Sequence, residues 1–421
     1  MDLWTRESAR HSIQAFERLS GRKQDALIAY CNEKFPPSIF ERHVRRRKQA
    51  LANVKQSKEL LSGAVQKFPP IILNESVPSP LDGDLRRTAI ILTAGGDGER
   101  LRKSLLARGI PEKYLENFTK ATFPLPGFVE GFGALQANLC LIASMSHRLK
   151  IDIPVVVTTG PAASTTARVI PDVLRKHRQF GLTHIRVVEQ DERLHLTMEN
   201  TMAYTLKDDA VRPVTHPDET GGPLMKLKQP DKDGPSVMEW FGGLGCTKMI
   251  VLQATGLYNP ALLSTIADAA TTRDCVGVGI LRTEFTSSDP FGTYVMVEKG
   301  TTRKMVIVEQ EIRNETTMTL KDESSRYFLP YNTGLYAFDN TLLSESDLPD
   351  YATPPKEVLP DLPRSPKIGF AATDIFSLAR KPGVLCIPSN SFAVIKTADD
   401  LALVSALGKK FGIDEMCEEY G

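Results

Sequence analysis

Apolar and polar positions follow two different periods along this chain. Up to about residue 85 the spacing is helical. Ala15, Phe16 and Leu19, then Leu27, Ile28 and Tyr30, recur three or four places apart, and residues 39–61 read as one long charged helix broken at Gly63. Phe68-Pro69-Pro70 through Pro78 and Pro80 reads as an extended linker. From Ile90 to about Leu343 short apolar runs alternate with helical stretches. Buried strands are predicted over 89–92, 153–158, 184–189, 249–252 and 275–281, and helices over 162–180 and 260–270. Residues 291–297 and 304–312 read as two strands joined around Lys299-Gly300. This alternation predicts an α/β fold: a mostly parallel sheet flanked by helices, with ligands at the carboxyl ends of its strands. The chain then divides into a helical N-terminal region (1–85), an α/β domain (86–345) and a small C-terminal region (346–421). Residues 401–421 leave room for one or two helices.

The first buried strand carries the strongest chemical signal. Ala89, Ile90, Ile91 and Leu92 run into Ala94-Gly95-Gly96-Asp97-Gly98, where three glycines in four positions remove the side chains that would hold a ligand away from the backbone. Glu99–Arg102 opens a helix whose first amides, together with the Arg100 guanidinium, face an anion held in the loop. The motif is a strand–loop–helix cradle for phosphates. It is not a P-loop, since Glu99 and Arg100 follow Gly98 where a Lys-Ser or Lys-Thr pair is required. Nor is it a dinucleotide fingerprint, since Leu101 stands where a third small residue is required. A plain tight turn would account for the glycines alone. Two features favour phosphate binding over it: the arginine at a fixed offset, and the segment Thr119–Gly127, in which Lys120 precedes a proline-set turn.

Composition narrows the rest. With 421 residues, 41% hydrophobic and 24% charged, the chain is long enough for one large α/β domain with appendages. A net charge of +1 gives no general attraction for nucleic acid or an anionic membrane. Arg45-Arg46-Arg47-Lys48 reads as a solvated helix face, because Glu41 and Glu59 share the helix and no aromatics interleave. No apolar run approaches the ~20 residues of a membrane span, and the N-terminus lacks the apolar core of a signal peptide. Six scattered cysteines without a C-x-x-C pair suit a reducing, cytoplasmic compartment and argue against a structural zinc.

Leu92-x-x-Gly95-Gly96-x-Gly98-x-Arg100-Leu101, with Lys120 downstream, resembles the signature of the UDP-sugar pyrophosphorylases, the group that includes the UDP-N-acetylglucosamine and UDP-glucose enzymes. The resemblance runs from about residue 88 to 400. It implies a Rossmann-like, GT-A-type nucleotidyltransferase sheet and a uridylyltransferase that converts UTP and a sugar 1-phosphate to UDP-sugar and pyrophosphate. Ala94, Gly95, Gly96, Gln190 and the turn-rich segment containing Pro217, Gly221 and Gly222 are implied to hold the nucleotide. Gln190 offers the donor and acceptor that reading a uracil edge requires, although a polar residue opening a loop is an equal reading of it. Thr220 stands where the N-acetylglucosamine enzymes tend to have asparagine.

A sugar-facing glutamate is implied after the hairpin, at Glu309 or, one step along, Glu311. Asn332, in Tyr331-Asn332-Thr333-Gly334, matches an asparagine implied to bind sugar hydroxyls; a turn-capping role is the competing reading. Ala372–Lys381 is similar to the Asp-Ile-Phe helix of the N-acetylglucosamine enzymes. Ser391–Lys396 is similar to a segment whose lysine reaches the phosphates, which casts Arg100, Lys120 and Lys396 as the phosphate-binding and catalytic cations.

One departure bears on Mg²⁺, the cofactor the resemblance implies. Family members place an Asp-Asn pair after the central strand. Here the stretch reads Val251-Leu252-Gln253-Ala254-Thr255-Gly256, which leaves substrate phosphates, Gln253 or Thr255 oxygens and Asp374 as ligands. The competing function is therefore a nucleotide-sugar-binding pseudoenzyme or regulator that has lost the metal ligand. A third reading, an adenylyl- or guanylyltransferase of the same fold class, conflicts with the tail that carries Asp374 and Lys396. The implied partners are small molecules, with neither nucleic acid nor membrane.

Overall fold

The structure, a computed structural model, describes residues 3–73, 85–96, 98–207, 209–230, 234–359 and 362–420. Asp97 of the glycine loop and the 74–80 part of the expected proline linker lie outside the described residues. The chain forms two compact units that interleave along the sequence. One comprises Met1–Leu60, Asp191–Gly222 and Leu348–Asp374; the other comprises Leu61–Gln190, Pro223–Asp347 and Ile375–Gly421. Both are discontinuous, unlike the three consecutive regions read from the sequence.

The larger unit is built on an eleven-stranded mixed sheet. Its main path runs Ile71–Leu73, Pro382–Ile387, Cys275–Arg282, Phe328–Asp339, Lys248–Gln253, Thr88–Thr93, Val155–Thr159 and Ile185–Glu189. Along this path only Phe328–Asp339 is antiparallel to its neighbours. The hairpin Thr293–Lys299/Thr302–Val308 joins through Thr293 opposite Tyr331. A strand covered on both faces must be apolar on both, and Ala89, Ile90, Ile91, Leu92, Val155, Val156 and Val157 are all fully buried. Helices Ala134–Leu149 and Ala261–Thr272 contribute to the same core. The first is buried continuously from Ala134 to Met145, which explains its near lack of charge. Two terminal helices, Asp400–Lys410 and Ile413–Tyr420, occupy the space expected for them, the second packing on Ala134–Leu149.

Element edges differ where side chains intervene. The helix expected over 162–180 begins at Thr165, because the Ser164 hydroxyl accepts from the Ala167 amide, and ends at Lys176. Beyond it Arg178, Gln179 and Phe180 take positive φ, and the buried Phe180 ring stacks on His177 at 5.1 Å. The second hairpin strand stops at Val308, with a 3-10 turn over Gln310–Ile312. Asn332 lies inside the strand Phe328–Asp339 and not in a turn.

In the smaller unit, Trp4, Phe16, Leu27 and Cys31 from the N-terminal segment share a core with Leu194, Met202 and Val211. The basic run corrects the sequence reading. Arg45 and Lys48 are exposed, but Arg47 is 2% exposed and bonds Asn200, and Arg46 pairs with Asp350 while lying 4.3 Å from the Phe370 ring centre. Helical spacing puts His43, Arg47 and Ala50 on one inward face, and charge count alone cannot reveal that. Among the described residues no helix is long and apolar enough to cross a membrane. All six cysteines are buried and free.

Candidate functional site

The parallel strands of the larger unit end on one edge, and the predicted nucleotide residues of that unit gather there. Gly95 follows Thr88–Thr93 and Gln190 follows Ile185–Glu189, two strands away. The Gln190 side chain lies so close over Gly95 that a Cβ there would come within 2.7 Å of Gln190 Nε2 and 3.0 Å of the Thr159 backbone. Ala94 is buried, and its amide donates to Thr158 O at 2.9 Å, fixing the start of the loop. Gly96 is exposed, and a Cβ added there would meet nothing within 4 Å, so protein packing does not require this glycine. Gly98 is the N-cap of helix Glu99–Ala107 at φ 69°. This left-handed conformation suits glycine and supplies no side chain to cap the first-turn amides.

Cations converge on this loop. A Cβ on Gly98 would come within 2.8 Å of Lys120 Cβ, so the lysine segment lies directly against it. That segment is held by Thr119, whose hydroxyl bonds Thr122 Oγ1 at 2.6 Å and accepts from the Thr122 amide at 3.1 Å. It is held also by the Leu135 amide donating to Ala121 O at 2.9 Å. Burial lowers the Lys120 ammonium to about 8, and the positive charges of Arg100 and Lys396 push in the same direction. Arg100 is exposed on the first turn of its helix.

Lys396 follows a strand of a separate two-stranded sheet. Its segment pairs as Phe392–Val394 with Gly256–Tyr258, and Ile395 N donates to Thr255 O at 2.9 Å. Asp400 Oδ2 then accepts from the amides of Lys396 (2.8 Å) and Thr397 (2.7 Å) and from the Thr397 hydroxyl (3.1 Å). Burial and Arg100 lower the Lys396 ammonium, against the opposing pull of Asp400, Asp289 and Glu309. Asp400 was missed in the sequence; an acid four places after a lysine at the start of a helix was the available signal.

Glu309 and Asn332 lie on the same unit. The Glu309 carboxylate sits against Gly292, where a Cβ would approach Oε1 to 2.9 Å, whereas Glu311 is exposed. Burial raises the Glu309 carboxyl, reinforced by Glu311 and opposed by Arg313 and Lys396. Asn332 Oδ1 accepts from the Tyr294 hydroxyl at 2.8 Å and the Gly334 amide at 2.9 Å, so what Asn332 has left to offer a ligand is its NH₂ donor. Gly334, at φ 80°, is overlain by the Gln253 side chain.

The remaining predicted residues belong to the smaller unit. There the segment around Pro217, Gly221 and Gly222 pairs with 369–372. Gly221 N donates to Phe370 O (2.7 Å), Phe370 N to Asp218 O (3.0 Å) and Ala372 N to the Thr220 hydroxyl (3.1 Å). The buried Asp218 side chain occupies the space a Cβ on Gly222 would need, which makes that glycine a packing requirement. Asp374 ends a 3-10 turn, its amide donating to Ala371 O at 3.1 Å.

Mg²⁺ prefers carboxylate oxygens and phosphates. Among the described residues no three His, Cys, Asp or Glu side chains are grouped to hold a metal, and the central strand ends on the neutral amide of Gln253. The donor set at this edge does not fit a protein-held divalent cation.

No protein-family model matches the sequence, and a comparison with curated proteins finds no match. Solved structures do match the fold. A UDP-N-acetylglucosamine pyrophosphorylase from Trypanosoma brucei in complex with an inhibitor is 14% identical at TM-score 0.69, with 96% of this chain and 81% of that one covered. A protein from Entamoeba histolytica assigned as the same enzyme is 16% identical at TM-score 0.63, with coverage of 82% and 88%. A mutant of the UDP-glucose pyrophosphorylase from Leishmania major in complex with UDP-glucose is 14% identical at TM-score 0.56, with coverage of 91% and 79%. The chain has the fold of the UDP-sugar pyrophosphorylases.

Proposed function

We propose that this protein is a uridylyltransferase that joins UTP to a sugar 1-phosphate, releasing pyrophosphate. The observation that carries this reading is the group formed by Arg100, Lys120 and Lys396 at the carboxyl edge of a sheet with this fold, beside a glycine loop that puts Gly98 at the N-cap of its helix. An oxygen of the sugar phosphate attacks the α-phosphorus in line. The bond from that phosphorus to the bridging oxygen breaks, and the electron pair leaves with pyrophosphate. No covalent nucleophile is needed. The protein's work is positioning and neutralisation of charge. Gly95, Gly96 and Gln190 hold the uridine end. Glu309 and the Asn332 NH₂ face the sugar. Any Mg²⁺ enters with the phosphates.

The test is pyrophosphate release from UTP with Mg²⁺ and a panel of sugar 1-phosphates, run against ATP and GTP as competitors. Release with one or a few sugars, displaced weakly by the purine nucleotides, is the expected result. Tight binding of UDP-sugar with no release across the panel would replace the transferase with a nucleotide-sugar-binding protein.

A further inference from the structure

Lys396 does not hang free. Its Nζ lies 3.5 Å from the centre of the Phe291 ring, a cation–π contact, and Phe291 in turn stacks on Tyr331 at 4.7 Å with the planes 22° apart. The backbone carrying Phe291 is tied down on several sides. Its amide donates to Asp289 Oδ1 at 3.0 Å, and the other Asp289 oxygen pairs with the buried Arg282. Arg282 is fixed in turn by Leu329 O at 2.8 Å and the Thr293 hydroxyl at 2.7 Å. Arg313 donates to Asp289 O at 2.7 Å and also to the carbonyl of Phe291 itself. Two guanidinium groups spent on one short turn hold an aromatic face in a fixed place.

That face meets an ammonium that lies in the fields of Arg100 and Lys120, both of like charge. Without a local attraction, repulsion would turn so flexible a side chain outward to water. Asp400, Asp289 and Glu309 supply attraction at a distance, and the ring supplies it in contact. We propose that Phe291 is a positioning residue. Its tethered ring carries the Lys396 ammonium where the phosphates of the nucleotide meet it, so that the lysine does not have to be ordered when the ligand binds. This rests on the reading of Lys396 as a phosphate ligand. A rigid first contact lowers the ordering cost of binding.

The experiment compares Phe291→Leu, which keeps apolar bulk but has no π face, with Phe291→Tyr and Phe291→Trp, which keep it; Phe291→Met replaces the leucine variant if that one does not fold. UTP affinity is measured by calorimetry. In the same proteins without nucleotide, the rate of Lys396 acetylation by acetic anhydride is followed by mass spectrometry. The leucine variant is expected to bind UTP about five- to tenfold more weakly and to acetylate Lys396 several-fold faster, with both aromatic variants within about twofold of the parent. Equal weakening in all three variants would assign the effect to loop packing, and an unchanged leucine variant would leave the ring without a role; either overturns the proposal. If the parent binds neither UTP nor UDP-sugar, the uridylyltransferase reading fails. The acetylation arm then still decides about Phe291: equal rates in the parent and the leucine variant reject it.

Discussion

Lys120 offers the most direct test of how the cations work. Burial beside Arg100 and Lys396 lowers its ammonium to about 8, so the free protein carries it about nine-tenths charged at pH 7 and about one-tenth charged at pH 9. A polyanion binds the charged form, and the phosphates of UTP, already largely ionised at pH 7, gain only a fraction of a charge across this range. The affinity for UTP should therefore fall about tenfold between pH 7 and pH 9, with a proton taken up on binding near the upper end.

Lys120→Arg keeps a positive charge whose own titration lies far above this window, so its affinity should be nearly flat. Lys120→Met should bind weakly at every pH and lose the parent's slope. The assay is calorimetric titration of UTP without metal, in pairs of buffers with different ionisation heats, so that proton uptake is read separately from affinity. A parent affinity constant to within twofold from pH 7 to pH 9 would refute the reasoning. So would an arginine variant with the parent's slope, because the titrating group would then be another one.

Three further outcomes follow from the same geometry. Lys396→Ala should lower kcat for pyrophosphate release by about two to three decades, the cost of removing one preorganised charge from a developing anion. A loss under fivefold would take Lys396 out of the chemistry. Gly95→Ala puts a methyl group 2.7 Å from Gln190 Nε2 and 3.0 Å from the Thr159 backbone, so uridine nucleotide affinity should drop by at least about tenfold through displacement of Gln190. Circular dichroism checks that the sheet survives, and native affinity in a folded variant would remove the Gly95–Gln190 pair from the nucleotide site. Gln253→Asp puts a carboxylate at the end of the central strand, and Mn²⁺ binding without nucleotide, read by electron paramagnetic resonance, should appear in the variant and be absent in the parent. Binding by the parent would show that the native donors already hold a metal.

What could be read in the sequence is what local physics dictates. A strand buried on both faces has to be a continuous apolar run, so 89–92, 153–158 and 275–281 stood out, and a loop that lets backbone approach phosphate has to shed side chains, so Gly95, Gly96 and Gly98 stood out too. What could not be read was long-range association. Nothing in residues 1–60 announces a shared unit with 191–222 and 348–374, and nothing in Arg45-Arg46-Arg47-Lys48 says that its third member is buried.

The site fell between these limits. Arg100 and Lys120 sit close to the glycine loop in sequence or in motif, but Phe291 meets Lys396 only through space, far from it in sequence, and Asp400 left no more than its place four residues on at the start of a helix. A net charge of +1 spread over 421 residues also conceals how charge is distributed at the sheet edge. One oxygen of Asp400 is already taken by two amides and a hydroxyl, so this nearby carboxylate is only partly available to neutralise the lysines. Lys120 registers its burial first, and the remaining imbalance second, as a lowered proton affinity. A chain that keeps such an imbalance buried gives up stability for it, and a polyanion bound against the three cations would return that stability.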